Sequence, residues 1–206
     1  MSIQKELESF WKGDFGDEYV KRHDEERMVS ARTYQFKKML DKTEDVHSVV
    51  ELGTNRGHNL GVLHNMLPQA ELYGAEINDR ARELCMQQTG VKSVFHGSLL
   101  DMPEDRTYDL SFTASVLIHI APESLGDAYG KLYRLSNRYV LLCEYHNPTP
   151  VAINYRGHEN RLFKRDFAGE MMDLYPDLAL KDYGFFYSRD TQYGLTDINY
   201  FLMEKC

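Results

Sequence analysis

Two carboxylates at the ends of apolar runs are the residues of this 206-residue chain best placed to do chemistry. Val49-Val50-Glu51-Leu52-Gly53-Thr54-Asn55-Arg56-Gly57 reads as a buried strand ending in an acid, then a loop with two glycines four positions apart. Tyr73-Gly74-Ala75-Glu76 is a second short apolar run that ends in an acid. It follows about 25 residues later, close to the ~30 that a βαβ unit occupies. The two acids can therefore sit at neighbouring strand tips, on the edge where open α/β sheets bind ligands. Gly53 lets the backbone turn sharply there, and Gly57 lets a ligand approach the next helix, whose first N–H groups favour negative charge. Glu76 is placed to accept two hydrogen bonds from a ribose diol, because a carboxylate accepts bidentately and donates nothing.

These acids need a scaffold. From residue 47 the pattern alternates, with strands expected near 48–52, 71–76, 92–95, 108–113 and 138–144 and helices near 57–66, 79–88 and 122–135. Runs such as Tyr139-Val140-Leu141-Leu142-Cys143 are apolar throughout, as strands covered on both faces are. Alternation of this kind implies a parallel sheet with right-handed crossovers. The end differs. After a helix near 165–174, Leu178–Tyr187 and Asp197–Met203 read as strands joined by Ser188–Thr196, which suits an antiparallel pair. Ahead of the core, residues 2–12 and 17–40 carry apolar residues at helical spacing, with Gly13–Asp17 as a turn and Asp17 as an N-cap.

Composition narrows the classes. The chain is 42% hydrophobic and 27% charged, that of an ordinary globular protein of one domain. A net charge of −8 argues against a nucleic-acid partner, which needs a basic stripe to displace counterions. The basic pairs Lys21-Arg22 and Lys164-Arg165 are interleaved with acids and read as solvated helix faces. Three widely spaced cysteines, Cys85, Cys143 and Cys206, suggest neither a disulfide framework nor a metal site. No apolar run approaches the roughly 18 residues of a membrane span, and the N-terminus lacks the order of a secretion signal. A cytoplasmic setting is the expectation.

The cofactor class follows from charge. A dinucleotide fingerprint is G-x-G-x-x-G, whereas here Asn55 holds the middle of Gly53-x-x-x-Gly57 and an acid precedes the first glycine. Glu51 would repel a pyrophosphate and attract an ammonium or sulfonium group, which favours S-adenosylmethionine over NAD. Residues 46–145 then resemble the class I S-adenosylmethionine-dependent methyltransferases. The resemblance is carried by Val49–Gly57, by Glu76, by Gly97-Ser98-Leu99-Leu100-Asp101-Met102-Pro103 and by Tyr108-Asp109-Leu110-Ser111-Phe112-Thr113-Ala114-Ser115-Val116-Leu117-Ile118-His119-Ile120. It implies a Rossmann-like fold with a mostly parallel seven-stranded sheet, a C-terminal antiparallel strand and N-terminal lid helices. One domain would span residues 1–206, divided into a lid (1–45), a cofactor-binding core (46–144), an acceptor-side insert (145–164) and a C-terminal helix and hairpin (165–206). By the same resemblance Gly53, Thr54 and Asn55 hold the methionine part of the cofactor and Glu76 its ribose. Ile77 flanks the adenine, Ser98 and Leu99 meet its edge, Ser115 lies under the methionine end, and Tyr19 of the lid reaches the carboxylate. Asn55 and Ser98 depart from the family's usual glycine and aspartate.

The flanks are similar to the pseudaminic acid biosynthesis-associated methylases. That likeness rests on Phe10–Tyr19, Asn147-Pro148-Thr149-Pro150, Tyr155-Arg156-Gly157-His158 and Leu162–Phe167, and it implies a bacterial enzyme of nonulosonic-acid or related surface-sugar pathways. Asn147–Pro150 itself reads as a rigid turn, lacking the second consecutive proline and the aromatic of motifs that methylate planar nitrogen. His119, after the fourth strand, has two readings: a base that removes a proton as the methyl transfers, or a histidine bonded at the start of the next helix. Trp11 either roofs the site or packs in the core. Tyr145, Tyr155, Arg156 and His158 belong to a donor-rich insert that either caps the acceptor site and binds an anionic or sugar-derived group, or forms a solvated loop. The expected function is methylation of a small polar metabolite at oxygen, nitrogen or carboxylate. A cofactor-binding regulatory protein without catalysis is the alternative, and an NAD-dependent oxidoreductase is a third.

Overall fold

The computed structural model describes residues 2–21 and 25–206, the side chains of residues 25–27 excepted. Residues 22–24, which include part of the expected 17–40 helix and Arg22 of the Lys21-Arg22 pair, lie outside the described residues. Strands β1 (Ser48–Leu52), β2 (Glu71–Glu76), β3 (Val91–His96), β4 (Tyr108–Ala114), β5 (Ser136–Glu144), β8 (Leu178–Phe186) and β9 (Ile198–Lys205) form a seven-stranded sheet in the order β3-β2-β1-β4-β5-β9-β8. Pairings among β1 to β5 are parallel, and β9 runs antiparallel to both β5 and β8. The chain thus starts in the middle of the sheet and builds outward in both directions. The crevice of such a sheet opens where the order reverses, at the carboxyl ends of β1 and β4.

Helices cover both faces, which is why the central strands are apolar along their whole length. Val50, Leu52, Leu132, Leu142, Met171 and Met203 pack in one layer, and Val49, Leu60, Leu63, Phe112, Leu141 and Leu202 in the other. Helices α4 (His58–Met66) and α5 (Asp79–Met86) follow the two acid-tipped strands, and α6 (Leu125–Leu135) and α7 (Phe167–Leu174) follow later. Asn78 caps α5 by accepting from the Ala81 N–H at 2.9 Å, and Asp166 caps α7 through Gly169 at 3.0 Å.

Two local expectations differ. Gly13–Asp17 is not one open turn: α1 (Ile3–Lys12) breaks at Gly13 and α2 (Asp14–Val20) starts at once, ahead of α3 (Glu25–Met39). Asp17 therefore lies inside α2, and instead of capping a helix it accepts from the Asn78 side chain at 2.9 Å. The 145–164 insert is largely exposed but is not a loop throughout, since it holds an antiparallel hairpin of β6 (Val151–Tyr155) and β7 (His158–Lys164). Its two-residue turn, Arg156-Gly157, has φ of 52° and 87°. Positive φ at both central residues matches the type I′ geometry that suits the twist of a hairpin.

Candidate active site

A cavity of about 550 Å³ opens above the carboxyl ends of β1, β2 and β4, within the ~300–1,000 Å³ typical of small-molecule sites. Strand tips make its floor, and α1 to α3 supply residues to its walls. Glu51, the last residue but one of β1, is fully buried. One carboxylate oxygen accepts from the Asn59 side chain, whose own oxygen accepts from Arg32 of α3. The other oxygen, Oε2, is buried with no partner, and so is the Nε of Arg32. Burial pushes the Glu51 carboxyl up to about 8, against the pull of the Asn59 amide and the Arg32 charge. Two unsatisfied polar atoms of opposite character thus belong to residues that line one cavity, and buried polar groups need partners.

Glu76 ends β2. Its oxygens accept from the backbone N–H of Asn55 at 2.7 Å and of Asn78 at 2.8 Å. A carboxylate offers about four lone-pair sites, so these bonds leave acceptor capacity for a diol. Burial raises this carboxyl, and the N–H groups of Asn78, Asn55 and Ile77 oppose the rise. Asn55 sits at φ 48°, in the left-handed region that asparagine tolerates better than other side chains, so it takes a glycine's place in this loop. Gly53 (φ 85°) lines the cavity, and a Cβ on it would meet Val116 at 2.6 Å. Gly57 differs from expectation. It does not line the cavity, and its own role is a left-handed N-cap of α4 packed where a Cβ would strike the Cys85 sulfur at 2.6 Å.

Thr54, Ile77, Ser98, Leu99 and Ser115 also line the cavity. Ser98, buried in the loop after β3, donates its hydroxyl to Glu8 of α1 at 2.7 Å. Ser115 adopts φ 60° as the chain leaves β4. The loop beyond it is held by Glu144, which ends β5 and accepts from the N–H groups of Val116 at 2.9 Å and Leu117 at 3.1 Å. That loop closes in a 3₁₀ turn, Leu117–His119. The His119 ring is buried. Its Nδ1 lies 2.6 Å from the Arg161 carbonyl and must be the protonated nitrogen, leaving Nε2 a bare acceptor. Burial pushes the ring down to about 4, so it is neutral at ordinary pH.

Aromatic side chains surround this histidine. Trp11 lies 4.6 Å and Tyr155 5.0 Å from it between ring centroids, and Tyr19 lies 5.3 Å from Trp11. The Trp11 Nε1 is buried without a partner. Tyr19, Tyr145, Tyr155 and Arg156 line the cavity, and Tyr145 bonds Thr196 at 3.0 Å. His158 lies outside the lining. It packs edge-on against Phe10 at 5.0 Å and Phe15 at 5.8 Å, because the two-residue turn sends Arg156 and His158 to different surroundings. Arg161 of the insert packs against α1 instead: its guanidinium lies 5.4 Å from the Phe10 ring and 3.9 Å from the Glu6 carboxylate.

No family model and no curated protein matches this sequence. Solved structures do. One is magnesium protoporphyrin IX methyltransferase from Synechocystis PCC 6803 with bound S-adenosylmethionine, with a TM-score of 0.70 at 12% identity over 100% of this chain and 98% of that one. Another is 1,6-didemethyltoxoflavin-N1-methyltransferase from Burkholderia thailandensis with S-adenosylhomocysteine, at 0.74 and 11% over 100% and 91%. A third is the plantazolicin methyltransferase with S-adenosylhomocysteine, at 0.66 and 12% over 98% and 95%. The fold is that of the Rossmann-like methyltransferases.

Within this methyltransferase fold several residues of the cavity escape a reading of strand-tip motifs. Arg32 and Asn59 reach Glu51 only through tertiary contact. Asn78 both caps α5 and donates to the Trp11 carbonyl at 3.3 Å and to Asp17, pinning the lid beside Glu76. The Asn-Asp start of a helix directly after the second strand was the available signal for that cap. Among the described residues no helix is long and apolar enough to cross a membrane.

Proposed function

We propose that this protein is an S-adenosylmethionine-dependent methyltransferase acting on a small polar acceptor. The observation that carries the reading is a pair of buried, unpartnered atoms on residues that line the cavity, Glu51 Oε2 and Arg32 Nε. An α-amino acid end group carries one ammonium and one carboxylate, and this pair complements both. Glu76 would hold the ribose diol at the next strand tip, and Ile77 and Leu99 would flank the base. A bound dinucleotide would set its pyrophosphate near Glu51, where burial disfavours negative charge, as the raised Glu51 carboxyl shows. When bound, the cofactor supplies an electrophilic methyl group.

The chain's own residues would then do the positioning on which such a displacement depends. Trp11, Tyr19 and Tyr155 wall off the space beside His119 and exclude water from it. His119 would accept the acceptor's proton at Nε2 or orient its hydroxyl, a carboxylate acceptor needing only the second role. Arg156 would bind an anionic group on the acceptor. We read the acceptor as a sugar-derived acid of the nonulosonate type. Arg156 at the cavity and the flanking runs that resemble the pseudaminic acid-associated methylases are the grounds for this choice. The test is incubation of the full chain with methyl-deuterated S-adenosylmethionine and nucleotide-sugar and nonulosonate metabolites, followed by mass spectrometry. The expected result is a deuteriomethylated product. S-adenosylmethionine binding without any such product across these metabolites would count against the acceptor and favour a non-catalytic cofactor-binding role.

A further inference from the structure

Resting on the adenosyl reading above, we propose that Glu8 of the lid helix accepts a hydrogen bond from the exocyclic amine of the cofactor's base and sets the site's preference for adenine. α1 presents Gln4, Leu7, Glu8 and Trp11 to the cavity, the spacing of one helical face. Glu8 Oε1 accepts from the Ser98 hydroxyl at 2.7 Å and from the Gln4 amide at 3.1 Å. Ser98 and Gln4 are both buried, and Gln4 is itself fixed by accepting the Ala121 N–H at 2.9 Å. A carboxylate from a lid helix is therefore fastened to the loop that follows β3.

The sheet order explains why that place matters. β1, β2 and β3 are consecutive neighbours, so a ligand with its cationic end on Glu51 and its diol on Glu76 extends its base toward the tip of β3. Ile77 and Leu99, which follow β2 and β3, line that end of the cavity. An adenine there presents a 6-amino donor. The Ser98 hydroxyl already donates to Glu8, and no described residue engages Glu8 Oε2, which is left as the acceptor. An ionised carboxylate accepts only, so it favours a 6-amino base over a 6-oxo one. Because Glu8 rides on α1, recognition of the base and seating of the lid share one side chain.

Calorimetric titration of the full chain with S-adenosylhomocysteine and with its 6-oxo analogue, S-inosylhomocysteine, tests this. The wild type should prefer the adenine ligand by about tenfold or more, the scale of one charge-assisted hydrogen bond. Glu8→Gln, whose amide can donate to a 6-oxo group, should bring the two ligands within about threefold of each other. Ser98→Ala leaves the carboxylate in place, so it should weaken adenine binding while keeping the preference. A Glu8→Gln protein that melts like the wild type and keeps the wild-type preference overturns the assignment to Glu8 alone. A wild type that binds neither ligand overturns the adenosyl reading on which it rests.

Discussion

Glu51 Oε2 and Arg32 Nε are buried without partners on residues that line the cavity, and a group in that state needs a ligand, a water or a changed charge. With its carboxyl raised to about 8 by burial, Glu51 is largely protonated at neutral pH. Binding an ammonium there must expel that proton, so affinity for S-adenosylhomocysteine should rise between about pH 6 and pH 7.5. Titrations near neutrality in buffers of different ionisation enthalpy should show proton release that Glu51→Gln abolishes. Equal proton release in that variant would contradict the assignment. His119 moves the other way. Burial holds it near 4, so kcat should stay level down to about pH 5 and fall only below it. His119→Ala should lower kcat by roughly 10²-fold, the lower end of general-base contributions, with the cofactor's KM little changed. A limb in the kcat profile close to the ordinary imidazole value would show that the ring is not held as described. Glu51 and Glu76 are legible because strand-end acids announce themselves locally. Arg32 and Asn59 come from helices, and no local pattern joins them to Glu51.

The β6–β7 hairpin shows how an element can trade stability for a side chain. Arg156 sits at φ 52° in a type I′ turn, a conformation that costs a side chain such as arginine roughly 1 kcal/mol and that asparagine tolerates. Arg156→Asn should therefore stabilise the fold by about 0.5–1 kcal/mol in thermal or denaturant unfolding. The same variant should raise the acceptor KM and leave the cofactor KM unchanged, because the guanidinium at the cavity is gone. A rise in the cofactor KM instead would place Arg156 on the wrong ligand. The hairpin itself was hard to read. Its strand Val151–Tyr155 is exposed along nearly its whole length, so it lacks the apolar alternation that marks a half-buried strand. The break between α1 and α2 was hidden for a related reason. Asp17 looks like a cap in isolation, but Asn78 recruits it from another element.

Across the whole molecule the strand–helix order was legible because the central strands are buried on both faces and read as continuous apolar runs. The placement of the lid over the strand tips depends on Asn78, Gln4 and Ser98 contacts between distant segments and could not be read locally. The buried acids also tune global stability. Glu51 and Glu144 are raised to about 8 and about 7, both by burial, above the unfolded value of 4.5. Their contribution is fully present below the unfolded pKa and is lost as pH rises through the folded values. His119, lowered to about 4, contributes stability above its unfolded value of 6.5 that is lost as pH falls below it. From about pH 6.5 to 8 the two acids outweigh the remaining titration of the unfolded His119, so the ligand-free Tm should fall across that window and Glu51→Gln should flatten the fall. An adenosyl cofactor held between Glu51 and Glu76 is the central proposal for this molecule. Calorimetric titration of the wild type and Glu76→Gln with S-adenosylhomocysteine tests that most directly. One-site binding is predicted, weakened about tenfold or more by the substitution, as loss of a charge-assisted bond to the diol requires. No binding to the wild type, or equal binding to both proteins, would contradict it.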